Sequence, residues 1–180
     1  MRKVVVYELL SLDGVAESPE RFFTEWDAVM DANLAEVISD QDAVVLGRRS
    51  FDEWAQFWPT SDVQPFADFI NAVPKFVATS SPLQHEWSDS SVIDGDVVEA
   101  LRALKSTSGG AIGVHASISL ARALFRADVV DELRLVVAPR TAGAGRRLFD
   151  GVGPIDFEMQ TCANSPTGYV LLTYTRSRVA

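Results

Sequence analysis

Between Ala43 and Phe51 the chain reads AVVLGRRSF, an apolar run that stops at a glycine and gives way to two arginines. Ala43, Val44, Val45 and Leu46 have the pattern of a strand covered on both faces, as in a parallel sheet. Phe51, Trp54, Ala55 and Trp58 follow at mostly three- and four-residue spacing, which predicts a helix with one apolar stripe. A strand that ends in a glycine turn at a helix start presents free backbone N–H groups and the positive end of the helix dipole. Gly47, Arg48 and Arg49 therefore read as an anion site at the carboxyl end of a buried strand.

The rest of the chain repeats this alternation. Val4 to Leu9 predicts a first strand, turned by SLDG at Ser11 to Gly14, and apolar residues at helical spacing predict a helix over Glu20 to Ser39. Gln56 to Pro74 reads as irregular with a short helix near Phe66 to Asn71. Lys75 to Thr79 predicts a third strand, His85 to Asp94 a polar loop, and Asp96 to Lys105 a helix capped by Asp96. Then come a strand at AIGVH (111–115), a helix opened by Ser117, and a strand over Asp131 to Ala138 that Pro139 stops. Ile155 to Ala163 and Tyr169 to Arg176 flank the turn-rich NSPTG and predict a hairpin. Alternating strands and helices imply right-handed crossovers and one α/β domain over 1–180, a mostly parallel sheet flanked by helices and closed by a C-terminal antiparallel hairpin.

Composition excludes several partners. A net charge of -9 leaves no basic face for nucleic acid or an anionic membrane, so a phosphate-bearing ligand has to be held by local basic clusters. One cysteine, Cys162, allows no internal disulfide, and two histidines give no Cys/His set for a metal, which points to a cytoplasmic setting and no metal. The N-terminal MRKVVVYELL begins like a signal peptide, but its run breaks at Glu8 and Asp13 without a small-residue cleavage site.

Ligands of open α/β sheets bind beyond the carboxyl ends of the strands. Here those positions are Leu12 to Gly14, Gly47 to Arg49, Thr79 to Ser81 and His115 to Ser117, rich in hydroxyls, glycine and arginine. Neither G-x-G-x-x-G nor a P-loop is present, and His115, Ser117 and Asp131 lack the G-x-S-x-G that would support a hydrolytic triad. Phe22, Phe23, Trp26 and Met30 could wall a flat heterocycle, and Arg146 and Arg147 could receive a substrate phosphate.

SLDG at Ser11, VVLGRRSF at Val44, and the run from Ile112 through VDELRL, AP and LFDG together resemble the dihydrofolate reductase-like superfamily. The branch most resembled is the RibD C-terminal domain, the reductase domain of riboflavin biosynthesis, over nearly the whole chain. The resemblance implies an NADPH-dependent reductase acting on a small pterin- or pyrimidine-like substrate, as a homodimer. It implies that Gly47, Arg48 and Arg49 line the phosphate side of NADPH, with Arg48 or Arg49 at the 2′-phosphate. Thr79 and Ser80 would stand near the adenosine, and Val114, His115, Ala116, Ser117, Ile118 and Ser119 would meet the pyrophosphate. Leu12, Asp13, Gly14 and Trp26 would lie beside nicotinamide and substrate. For the catalytic acid the resemblance leaves Asp13, or a carboxylate on the first helix such as Asp27, with Glu25 and Asp31 as neighbours. One departure is Ala116-Ser117 in place of the family's Gly-Gly, where a methyl could crowd the cofactor. The rival expectation is a non-catalytic nucleotide-binding or dimeric scaffold.

Overall fold

The computed structural model describes residues 1–177. Eight strands form one sheet: β1 (Val4–Leu10), β2 (Gln41–Gly47), β3 (Lys75–Ala78), β4 (Ser90–Val92), β5 (Ala111–His115), β6 (Glu132–Val137), β7 (Phe157–Asn164) and β8 (Val170–Arg176). Their order is β4-β3-β2-β5-β1-β6-β8-β7. The strands from β4 to β6 run parallel, and β8 and β7 add the expected antiparallel pair. Five helices cover it: α1 (Ala28–Ser39), α2 (Arg48–Phe57), α3 (Phe66–Ala72), α4 (Val97–Ser106) and α5 (Ile118–Arg126).

The alternation of side chains along each strand divides the core into two layers. Val44 and Leu46 of β2 pack in one layer with Met30, Phe51 and Ile70 of α1, α2 and α3. Val45 belongs to the opposite layer with Leu101, Leu120 and Leu124 of α4 and α5. On β1, Tyr7 and Leu9 join the first layer, whereas Val4, Val6 and Leu10 join the second. The unbroken apolar run at Ala43 to Leu46 is explained by this double coverage.

Two elements differ from the expectation. The helix expected over Glu20 to Ser39 begins only at Ala28, because Asp27 caps it, accepting from the Val29 and Met30 N–H groups at 2.9 and 3.1 Å. Before it, Pro19–Arg21 form one 3-10 turn, and the helical spacing of Phe22, Phe23 and Trp26 serves ring contacts, Phe23 also meeting Tyr169. The polar stretch expected as a loop contains β4, an edge strand paired with β3 through its backbone, Lys75 opposite Ser90. Backbone pairing at an exposed edge leaves no apolar period to read. No helix among the described residues is long and apolar enough to cross a membrane.

Candidate functional site

A cavity of about 810 Å³ opens over the carboxyl ends of β1, β2 and β5, within the range of small-molecule sites. From β1 the chain moves to β2, β3 and β4 on one side, returns to β5 beside β1, and only then places β6 on the other side. The connections diverge there, which leaves the crevice where ligands of such sheets sit.

The rim is built where β2 enters α2 and β5 enters α5. The Gly47 N–H donates to Ser117 Oγ at 2.9 Å, and Ser50 Oγ donates to the Ala116 carbonyl at 2.7 Å. These two bonds fasten the starts of both helices together. Ser117 therefore does not cap its own helix, and no side chain caps the first turn of α5. Ala116 has φ 48, in the left-handed region that costs a non-glycine residue about 1 kcal/mol. Glycine would hold that conformation without strain.

Three arginines line the cavity, each matched by acid. Arg48 Nε donates to Asp52 at 2.6 Å, and its Nη1 donates to Ser81 Oγ at 3.0 Å and the Pro82 carbonyl at 2.6 Å. It also reaches Thr79 Oγ1 at 3.4 Å, so it gathers the turn after β3. Arg49, whose side chain is 66% exposed, donates to Glu53 at 2.9 Å and reaches Glu17 at 3.5 Å. Its charge is held firmly by the Glu53 carboxylate, which pushes its pKa up. Arg146 Nε donates to the same Glu17 at 2.8 Å, and this bond holds the Glu17 carboxyl below its ordinary range.

Inward from this rim the lining turns aromatic, with Tyr7, Trp54, Trp58, Phe66 and His115 beside Leu34. Tyr7 Oη and Trp58 Nε1 are buried without a hydrogen-bond partner among the described residues. Burial pushes the Tyr7 phenol up. His115 Nε2 lies 2.8 Å from Gln41 Oε1, while Gln41 Nε2 donates to the Val37 carbonyl at 3.1 Å. That amide orientation makes His115 Nε2 the protonated nitrogen of a neutral ring. Burial lowers its pKa to about 3. Gly113 makes the pair possible, since a Cβ there would lie 2.0 Å from Gln41 Oε1.

Glu8 was not among the candidates read from the sequence. It occupies the β1 row whose other members, Val4, Val6 and Leu10, are aliphatic and face α4 and α5. It is 3% exposed, it lines the cavity, and its Oε1 has no partner among the described residues. Burial pushes its pKa up to about 8, opposed by the Ser117 backbone. The available signal was an acid inside VVVYELL, a run that is otherwise wholly apolar.

Of the expected site residues, Gly47, Arg48, Arg49, His115, Ala116, Ser117, Ile118, Ser119 and Trp26 line this one cavity. Thr79 joins them only through Arg48, and Ser80 and Val114 do not line it, Val114 being fully buried in the α5 layer. Asp13 and Asp27, the expected catalytic acids, lie outside this cavity. Asp13 accepts from Ser11 Oγ at 2.7 Å and from the Ala142 and Gly143 N–H groups at 2.8 and 3.0 Å, which brings its pKa to about 2. Asp27 caps α1 and accepts from Thr167 Oγ1 at 2.6 Å, with the same result. Both are ionised acceptors that anchor loops, and neither lines the cavity. Leu12 is exposed and Gly14 sits in the turn, both outside it. Arg146 lines the cavity, whereas Arg147 donates to the Asp13 carbonyl at 3.0 Å and does not.

Residues 2–171 match the family model of the RibD C-terminal domain. The uncharacterised protein YyaP of Bacillus subtilis is 25% identical over 181 residues, covering 96% of this chain and 94% of that one. A putative riboflavin biosynthesis protein from Shewanella sp. PV-4 has the same fold with a TM-score of 0.77 at 18% identity, over 98% of this chain and 99% of that one. A pyrimidine reductase-like protein from Corynebacterium diphtheriae superposes with a TM-score of 0.67 at 14% identity, over 99% and 93%. A diaminohydroxyphosphoribosylaminopyrimidine deaminase/5-amino-6-(5-phosphoribosylamino)uracil reductase from Thermotoga maritima gives 0.70 at 14%, over 98% of this chain and 57% of that one.

Proposed function

Because the chain belongs to the RibD C-terminal domain family, we propose that it is an NADPH-dependent reductase acting on a small, flat pterin- or pyrimidine-like heterocycle. The observation that carries this reading is the continuity of the cavity, from an arginine-bearing rim to a buried aromatic lobe with unpartnered polar groups. Bound NADPH would supply the hydride; the protein's part is to hold both rings, exclude water and present hydrogen-bonding groups. Arg48, with the hydroxyls of Thr79 and Ser81 already gathered around it, suits a 2′-phosphate, since its guanidinium fork matches phosphate oxygens. The uncapped start of α5, with Arg49 and Arg146 nearby, suits the pyrophosphate. Trp54, Trp58 and Phe66 suit a flat ring, and Trp58 Nε1–H is a free donor for a ring nitrogen or carbonyl oxygen. The homodimer and cytoplasmic setting expected from the sequence belong to the same proposal.

Three of the four tryptophans line the cavity, so their fluorescence reports its occupancy. Titration with NADPH should quench it at micromolar ligand, with NADH binding roughly tenfold or more weakly, as one charge-assisted phosphate contact implies. Arg48→Ala should abolish most of that preference; equal binding of the two cofactors by the wild type would remove the assignment. The second reading, a nucleotide-binding scaffold without turnover, is favoured by Asp13 and Asp27 lying outside the cavity. NADPH binding without oxidation against a panel of dihydropterins and aminopyrimidines would support it.

A further inference from the structure

We propose that Glu8 is a cofactor-binding residue whose protonated carboxyl donates a hydrogen bond to the uncharged amide carbonyl of the nicotinamide. The inference rests on the NADPH reading above and adds a side chain to it. A carboxyl group in the central strand of a parallel sheet is costly unless something compensates it. The compensation is incomplete: the Ser117 backbone meets the carboxyl, but Glu8 has no ion pair among the described residues and its Oε1 has no donor. Its neighbours in the same row are aliphatic, so packing alone would be served better by valine or leucine.

Its position defines what it can recognise. Tyr7 and Glu8 line the cavity from opposite faces of β1, Tyr7 with the aromatic lobe and Glu8 on the side of α5, where it meets the Ser117 backbone at the helix start. An ionised carboxylate there would repel a dinucleotide whose phosphates lie at the same helix start. A neutral carboxyl does not repel it, and it brings an O–H that needs an acceptor. The part of a nicotinamide nucleotide that is uncharged and rich in carbonyl acceptor is the amide end.

The titration of Glu8 is separable from that of its surroundings. Tyr7 on the same strand is held as a phenol by burial, and His115 on β5 is held neutral. The β6 residue opposite Glu8 is Leu135. Glu17, Glu20, Glu53, Arg48, Arg49 and Arg146 are the other charged groups of the cavity. Between about pH 7 and about pH 10 Arg49, held charged by Glu53, and Glu17, held ionised by Arg146, do not change, so loss of the Glu8 proton is the change that the inner cavity undergoes.

The test measures binding of NADPH and of adenosine 2′,5′-bisphosphate, which carries the phosphates and lacks the amide, to wild type, Glu8→Gln and Glu8→Leu. For the wild type, NADPH affinity should fall roughly tenfold between about pH 7 and about pH 10, while the bisphosphate stays constant. Glu8→Gln keeps a neutral donor, so it should bind NADPH within a few-fold of wild type and lose the pH dependence. Glu8→Leu should bind NADPH roughly five- to tenfold more weakly at pH 7 and the bisphosphate normally, which also shows that it is folded. NADPH binding that is indifferent to both substitutions, or equal losses for both ligands, would overturn the inference and leave the reductase reading standing. A wild type that binds neither ligand would overturn the reductase reading itself.

Discussion

The rim and the interior of the cavity follow opposite rules. At the rim each arginine is paired, Arg48 with Asp52, Arg49 with Glu53, and Glu17 bridging Arg49 and Arg146, although Asp52 keeps its second oxygen buried without a partner among the described residues. In the interior three polar atoms, Tyr7 Oη, Trp58 Nε1 and Glu8 Oε1, are buried and unpartnered among the described residues. Water screens the exposed Arg49–Glu53 pair, so it contributes little to stability and is easily exchanged for a ligand's charges. Each unpartnered interior group costs about 1–3 kcal/mol, and an incoming donor or acceptor would recover that cost. The interior is therefore where the chain gives up stability.

The largest effect should come from Gly113→Ala. The added methyl would lie 2.0 Å from Gln41 Oε1 and 2.7 Å from His115 Nε2, two buried side-chain atoms bonded to each other, so relief requires breaking that bond inside the sheet. We expect more than about 4 kcal/mol of destabilisation by urea unfolding, or no folded protein. A loss below about 1 kcal/mol would mean that the interior yields as readily as the rim.

Next in size is the pH dependence of stability, where Glu8 and His115 act with opposite signs. Glu8 has a pKa of about 8 folded and 4.5 as its ordinary value. The folded chain then holds a proton that the unfolded chain has released, so stability falls as pH rises from 4.5 to about 8, by on the order of 3–5 kcal/mol at most. His115, lowered from 6.5 to about 3, is protonated first in the unfolded chain, so its contribution is present above 6.5 and lost as pH falls to about 3. Glu8→Gln should therefore gain about 2 kcal/mol over wild type at pH 8 and little at pH 4.5. A gain of equal size at both would assign the cost to packing and not to the carboxyl proton.

The same division separates what the sequence made legible from what it did not. The mostly parallel sheet follows from largely buried apolar runs at Val4, Ala43, Ala111 and Glu132 and from the crossovers they require, whereas the order of its strands comes from the structure. The rim was legible because glycine and arginine at strand ends have few other uses: Gly47, Arg48, Arg49 and Ala116 to Ser119 do meet in one cavity. The interior was not, because Tyr7, Trp54, Trp58 and Phe66 come from four elements, and their sequence spacing reads as ordinary core. The placement of the two acids was not legible for a related reason. Asp13 and Asp27 sit where a catalytic carboxylate would be expected along the chain, but a carboxylate beside free N–H groups satisfies them first.

Tyr7→Phe isolates one interior group with almost no change of shape. Removing a buried hydroxyl that has no partner should raise stability by about 1 kcal/mol. If Tyr7 is a ligand contact, the same variant should bind a ring substrate several-fold more weakly while NADPH binding is unchanged. A fall in stability would show that the hydroxyl is already satisfied in the folded protein.

The smallest effect, and the sharpest probe of the rim, is Glu17→Gln. Glu17 accepts from Arg146 Nε at 2.8 Å, from the Arg146 N–H at 3.3 Å and from Arg49 at 3.5 Å, so its carboxylate occupies the electrostatic place of a phosphate between two guanidiniums. Glutamine keeps an acceptor for the Arg146 backbone and removes the charge. Stability should fall only modestly, since Arg49 is exposed and the Glu17–Arg146 pair is partly open to water. Affinity for adenosine 2′,5′-bisphosphate should rise a few-fold at low ionic strength, and the gain should shrink as salt screens the arginines. Weaker binding at every ionic strength would show the reverse role: Glu17 aims Arg49 and Arg146 at the ligand, and the rim, like the interior, is preorganised.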